Sequence, residues 1–216
     1  MKYKTVIFDM DGVIVNSEVQ WAKYEYQMLK NMWNAKVADT IMDDVLGSDV
    51  DSIYAMGNRL DNSVSKEQFL LGYDQLATKV YMQAEFTNGI DQVFDWLLVN
   101  ELNIGLVSSS RKVWINMVLD RFEYADTFDY VESVNDRIDL KPKPYPDGYI
   151  EAMQIMGTSP IRTIIIEDSD KGIQAAKNSG AYTVGLKQNL PDEYEQQGAD
   201  MCIEQIVDVI ELFKES

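Results

Sequence analysis

Near its start the chain carries an apolar run with β-branched members, Thr5-Val6-Ile7-Phe8. Two acids, Asp9 and Asp11, follow, then Gly12 and a second apolar stretch, Val13-Ile14-Val15. A continuous run of this kind predicts a strand buried on both faces of a parallel sheet. Similar runs recur at residues 104–107, 129–134, 163–166, 182–186 and 201–203. Helical spacing predicts helices over 90–100, 111–122, 147–156, 170–179 and 206–213, with Gly180 placed to end the fourth. Pro142, Pro144 and Pro146 fix φ and hold 141–147 as a stiff extended loop. Alternating strands and helices predict an α/β fold, a Rossmann-like, doubly wound parallel sheet.

Residues 16–84 break that alternation, and no strand is predicted among them. Trp21, Tyr24, Met28, Leu29 and Met32 recur at helical spacing over about 17–37, with Asn16 or Ser17 available as a cap and Glu18 in the first turn. Further helices are predicted over 39–82, separated at Gly47, Gly57 and Gly72, and at Asp61-Asn62-Ser63 and Ser65. The expectation is an all-helical cap domain over 16–84, inserted into a core domain built from 1–15 and 85–216. Its aromatic and methionine positions are expected to form its own core.

Composition narrows the chemistry. At 216 residues and 46% hydrophobic, the chain has enough apolar surface for a core plus a modest insertion. The net charge of −17 argues against nucleic-acid binding, since a phosphate backbone would be repelled. An anionic substrate therefore needs a local positive group. The chain has no histidine, which removes His-based zinc sites and Ser-His or Cys-His catalysis. With one cysteine, Cys202, no intrachain disulfide can form; a reducing, cytoplasmic setting is expected, with Cys202 as a small core residue. The first strand begins after four residues, so no signal peptide is expected, and no apolar run reaches the roughly 20 residues of a membrane span. A monomer is the default expectation.

Three predicted strands end in polar groups: Asp9 and Asp11, Ser108-Ser109, and Glu167-Asp168. In a parallel sheet these ends share the edge where ligands bind. Asp-x-Asp-Gly could also open a calcium loop, but Val13 and Ile14 stand where that loop needs a ligand and a glycine. Carboxylates from separate strand ends can hold a hard cation, and Mg²⁺ fits because it uses few carboxylates and keeps several waters. Ser108, the amides after it and the amino end of the 111–122 helix can hold a phosphate. Lys143 supplies positive charge. With other nucleophiles missing, Asp9 becomes the candidate, since aspartate can form an aspartyl-phosphate.

Asp9-Met10-Asp11-Gly12-Val13, Ser108 after a strand, Lys143-Pro144 with Pro146-Asp147, and Glu167-Asp168-Ser169 with Gly172-Ile173 resemble the four motifs of the haloacid dehalogenase-like superfamily. The likeness is closest to its β-phosphoglucomutase-like branch and covers the whole chain. It implies Asp9 as nucleophile and Mg²⁺ ligand. Asp11 is implied as acid toward the leaving oxygen, then base toward water, with its backbone carbonyl on the metal. Asp168 is implied as a direct metal ligand, and Glu167 as a ligand directly or through water. Ser108, the Ser109 amide and Lys143 are implied as phosphoryl-binding.

The chain departs from the sugar-phosphate mutases of that branch. Their histidine shortly after the first motif is replaced by Gln20-Trp21, and their arginine after the cap glycine is missing from Leu46-Gly47-Ser48-Asp49-Val50-Asp51-Ser52. A mutase must bind two phosphates, so this acidic loop favours a phosphatase of small metabolites such as sugar phosphates. A hexose-phosphate mutase and a non-catalytic binding protein of the same fold are the alternatives. Lys141 and Arg59 are expected to be solvated. Ser110 and Arg111 are expected only to start a helix, and Ser169 and Asp170 only to cap one.

Overall fold

The structure is a computed structural model that describes residues 2–45, 48, 50–191 and 194–214. The chain divides into two compact units, Met1–Glu18 with Glu85–Ser216, and Val19–Ala84.

In the first unit, β1 (Thr5–Phe8) is buried along its whole length. It pairs in parallel with β4 (Asn103–Ser108) on one side and β6 (Thr163–Glu167) on the other. Beyond β4 lies β5 (Tyr130–Ser133); beyond β6 lie β7 (Tyr182–Leu186) and β8 (Met201–Ile203). The order β5-β4-β1-β6-β7-β8 is parallel throughout, so the chain builds outward from β1 in one direction, then returns to build in the other. Every strand then delivers its carboxyl end to one edge, and the crevice beside β1 is the natural ligand site.

Helices α5 (Ile90–Val99), α6 (Lys112–Leu119), α7 (Asp147–Ile155), α8 (Asp170–Ser179) and α9 (Val209–Lys214) cover the sheet. One core cluster joins Ile7, Val107 and Ile165 of the sheet to Tyr149 and Met153 of α7 and Ala175 and Ala176 of α8. Phe8 stacks on Phe94 of α5 at 5.2 Å. Gly180 ends α8 in the left-handed conformation, φ 82°.

An antiparallel pair, β2 (Val15–Asn16) with β3 (Glu85–Phe86), was not predicted; two residues per strand leave too little period to read. Cys202 is exposed, contrary to the core role expected of it. It lies on β8, the edge strand, where Ile203 turns inward and Met201 and Cys202 do not.

The second unit holds α2 (Ala35–Val45), α3 (Val50–Leu60), α4 (Lys66–Gln83) and all but the first residue of α1 (Glu18–Met32). The helical pattern over 17–37 is broken because the Asn34 side chain accepts the Val37 N–H and starts a new helix. Ser65 caps α4 in a reciprocal box with Gln68. Gly57 and Gly72 do not separate helices; they lie inside α3 and α4. A Cβ on Gly57 would sit 2.2 Å from the Trp33 ring, and one on Gly72 2.9 Å from the Met32 sulfur. Both glycines make room for a neighbour rather than a turn. Gly47 and Asp49, from the acidic loop singled out in the sequence, lie outside the described residues. Trp21 packs against Tyr73 and Tyr81, each 5.9 Å between ring centres, inside this unit's aromatic core.

Candidate active site

Asp9 leaves β1 with its N–H still bonded to Ile166 of β6. The chain then turns through Gly12, whose φ of 75° disfavours a side chain. Space forbids one as well, since a Cβ there would lie 1.8 Å from an Asp168 oxygen. Gly172, in the first turn of α8, makes the same concession to Glu167, whose carboxylate atoms would lie 1.9–2.0 Å from an added Cβ. The acids at the end of β6 are thus seated by two glycines.

Asp9, Glu167 and Asp168 are all buried, and a carboxylate oxygen from each lies within 4.8 Å of the others. One ammonium enters this cluster. Lys143 Nζ donates to Asp9 Oδ1 at 2.6 Å, Glu167 Oε1 at 2.6 Å and the Val107 carbonyl at 3.1 Å. Its side chain is 7% exposed. Lys141 is exposed and lies over the Tyr145 ring.

Burial pushes the Asp9 carboxyl up to about 8; Lys143 opposes the shift, and Glu167 and Asp11 add to it. Asp168 is raised well above the usual carboxylate range, first by burial and then by the charges of Asp9 and Glu167. Burial works against the Lys143 ammonium, but Asp9 and Glu167 outweigh it and hold the group protonated. Ionising all three buried carboxyls against one buried ammonium would leave an excess of negative charge, which a dication would balance. The donors are all hard oxygens, which suits Mg²⁺.

Glu167 is fully buried and held at both oxygens. Oε1 accepts from Lys143 and from the Tyr149 hydroxyl, each at 2.6 Å. Oε2 accepts from the Asp168 amide and the Ser169 hydroxyl, each at 3.2 Å. Ser169 caps α8 as expected, accepting the Gly172 N–H, and its bond to Glu167 goes beyond that role. Nothing local in the sequence singles out Tyr149; six residues beyond Lys143, it reads as a core position of α7.

Asp11 stands apart from the three-carboxylate cluster. Its Oδ1 accepts from the Ser17 hydroxyl at 2.5 Å and its Oδ2 from the Ser110 hydroxyl at 2.6 Å. Ser108 closes β4 and is buried, with Ser109 half-buried after it. The amino end of α6 is less open to a phosphate than its position suggests, because the Lys112 N–H already donates to Asp136 at 2.6 Å. Arg59 is exposed, as expected. Among the described residues no helix is long and apolar enough to cross a membrane.

The chain as a whole is similar to several known proteins. Over 228 aligned residues the chain is 29% identical to β-phosphoglucomutase of Bacillus subtilis, covering 98% of this chain and 94% of that protein. It is 23% identical to (DL)-glycerol-3-phosphatase 2 of Arabidopsis thaliana, covering 94% and 87%. A crystal structure of β-phosphoglucomutase from Clostridium difficile matches with a TM-score of 0.74 at 20% identity, over 99% and 96% of the two chains. A hydrolase from Deinococcus radiodurans R1, solved with bound phosphate and sodium, matches with a TM-score of 0.72 at 21% identity, over 99% and 96%. The family model described as haloacid dehalogenase-like hydrolase matches residues 6–186. By that match, which runs from β1 to the end of β7, the chain belongs to the haloacid dehalogenase-like hydrolase family.

Proposed function

We propose that the protein is a Mg²⁺-dependent phosphatase of small phosphorylated metabolites such as sugar phosphates. One observation carries this: Asp9, Glu167 and Asp168 are buried together around Lys143 at the carboxyl edge of the sheet, beside the strand that ends in Ser108. The glycerol-3-phosphatase of Arabidopsis thaliana and hexitol phosphatase B of Escherichia coli support the substrate class.

In this reading Asp9, Asp168 and the Asp11 backbone carbonyl would hold Mg²⁺, with Glu167 binding it directly or through water. Bound there, the metal would supply charge neutralisation at the phosphoryl group, easing the approach of an anionic nucleophile. Asp9 attacks phosphorus and becomes an aspartyl-phosphate while the bond to the leaving oxygen breaks. Asp11 gives that oxygen a proton, then takes one from the water that attacks the acyl-phosphate, which frees Asp9 and inorganic phosphate. Lys143, Ser108 and the Ser109 amide hold the transferred group. Lys143 also secures Asp9 through Oδ1, leaving Oδ2 for attack.

The likeness to β-phosphoglucomutase favours a second reading, a hexose-phosphate mutase. The absence of histidine and the lack of a basic residue in 46–52 weigh against it. The test is phosphate release from p-nitrophenyl phosphate and a panel of sugar phosphates, with Mg²⁺ and then with EDTA. Release that EDTA abolishes is expected. Isomerisation of a hexose 1-phosphate without net release would establish the mutase instead. No turnover with any divalent ion would point to a binding protein.

A further inference from the structure

The hydroxyl, N–H and carbonyl of Ser110 each make a hydrogen bond. Its hydroxyl donates to Asp11 Oδ2 at 2.6 Å, and its N–H donates to Ser108 Oγ at 2.9 Å. Its carbonyl accepts from the Ser133 hydroxyl at 2.7 Å. One residue therefore ties the turn after β4 to the acid after β1 and to the end of β5. On the other oxygen of Asp11, Ser17 is fully buried and donates at 2.5 Å. Hydroxyls donating to separate oxygens form the arrangement a carboxylate takes.

We propose that Ser110, together with Ser17, is a positioning residue that sets the rotamer and plane of the Asp11 carboxylate. This rests on the assignment of Asp11 as the acid and base of a phosphatase. A proton-transfer group works only when held within hydrogen-bond reach of its target. Asp11 is half-buried and lies outside the three-carboxylate cluster, and each of its carboxylate oxygens accepts a hydrogen bond from one of the two serines. Because Ser110 also bonds Ser108, the orientation of the acid is keyed to the turn assigned to the phosphoryl group.

The test compares kcat/KM across substituted phenyl phosphates with progressively poorer leaving groups, ending on glycerol phosphate, with Mg²⁺ present. A proton from Asp11 matters most for the poorest leaving group. For Ser110→Ala, kcat/KM should fall about 10- to 100-fold on glycerol phosphate but less than about 3-fold on p-nitrophenyl phosphate. Ser17→Ala should shift the series in the same direction. Ser110→Thr should restore most of the loss, and Asp11→Asn should set its upper limit. An equal loss across the series, or none, overturns the proposal. A crystal structure of each alanine variant supplies a measurement independent of turnover. The Asp11 carboxylate is expected to leave its present rotamer, and the same rotamer in both variants overturns the proposal. If the wild type released no phosphate from any substrate, the phosphatase reading would fail, and the variant structures would still decide whether the serines hold Asp11.

Discussion

Both units bury carboxylates and both use glycines to make room, yet they do so to opposite ends. In the helical unit Gly57 and Gly72 yield to Trp33 and Met32, and the gain is apolar packing. Its buried acid, Glu25, accepts a hydrogen bond from the Tyr73 hydroxyl at 2.6 Å, a neutral donor. In the sheet unit Gly12 and Gly172 yield to the carboxylates of Asp168 and Glu167. There three buried acids face one ammonium. An acid matched by a phenol completes a core, whereas acids in excess over their cation await another. Burial alone does not mark a functional site; uncompensated burial does.

The largest expected effect lies in the charged cluster. Asp9→Asn should lower kcat for phosphate release roughly 10³-fold or more, since the nucleophile is gone. A milder loss in a steady-state assay would break the contrast at its strongest point. Lys143→Ala should destabilise the fold by about 3–5 kcal/mol, because it strands Asp9 and Glu167 without their cation. Urea unfolding would measure this, and added Mg²⁺ should recover part of the loss.

A pair of glycine variants sharpens the comparison. Gly172→Ala and Gly57→Ala should each cost about 1–3 kcal/mol through overpacking. Only Gly172→Ala, which displaces Glu167, should also cut phosphate release per folded molecule. Equal effects on activity would show that both glycines serve packing alone.

The smallest effects concern Glu25, whose carboxyl burial raises above its ordinary value, with Tyr73 opposing. Between those two values the native protein keeps a proton that the unfolded chain has lost. Stability therefore falls as pH rises through that window. Glu25→Gln should flatten this part of the wild-type profile in urea midpoints taken from about pH 4 to neutrality. Tyr73→Phe should cost about 1–3 kcal/mol by leaving the buried carboxyl short of a donor.

The inner strands β1, β4, β6 and β7 were legible because their burial on both faces leaves a continuous apolar run, and prolines and glycines punctuate what lies between. Thr163-Ile164-Ile165-Ile166 could hardly be anything else in an alternating chain. Ser65 was legible only as a break between helices; its role as the cap of α4 came from the structure. Gly57 and Gly72 misled because a glycine that clears space for an indole or a thioether looks the same, in one dimension, as one that ends a helix. Cys202 misled because strand pairing order, not residue type, made its strand an edge. The sequence by itself determined the parallel α/β core and the kinds of groups gathered at its strand ends, since these follow from local pattern and composition. Only the tertiary structure decided their partners. Lys143 reaches Asp9 across 134 residues, Ser110 reaches Asp11 across 99, and Tyr149 reaches Glu167 from a neighbouring helix. Such contacts depend on the order in which strands pair and on which face a helix presents, and no local pattern encodes either.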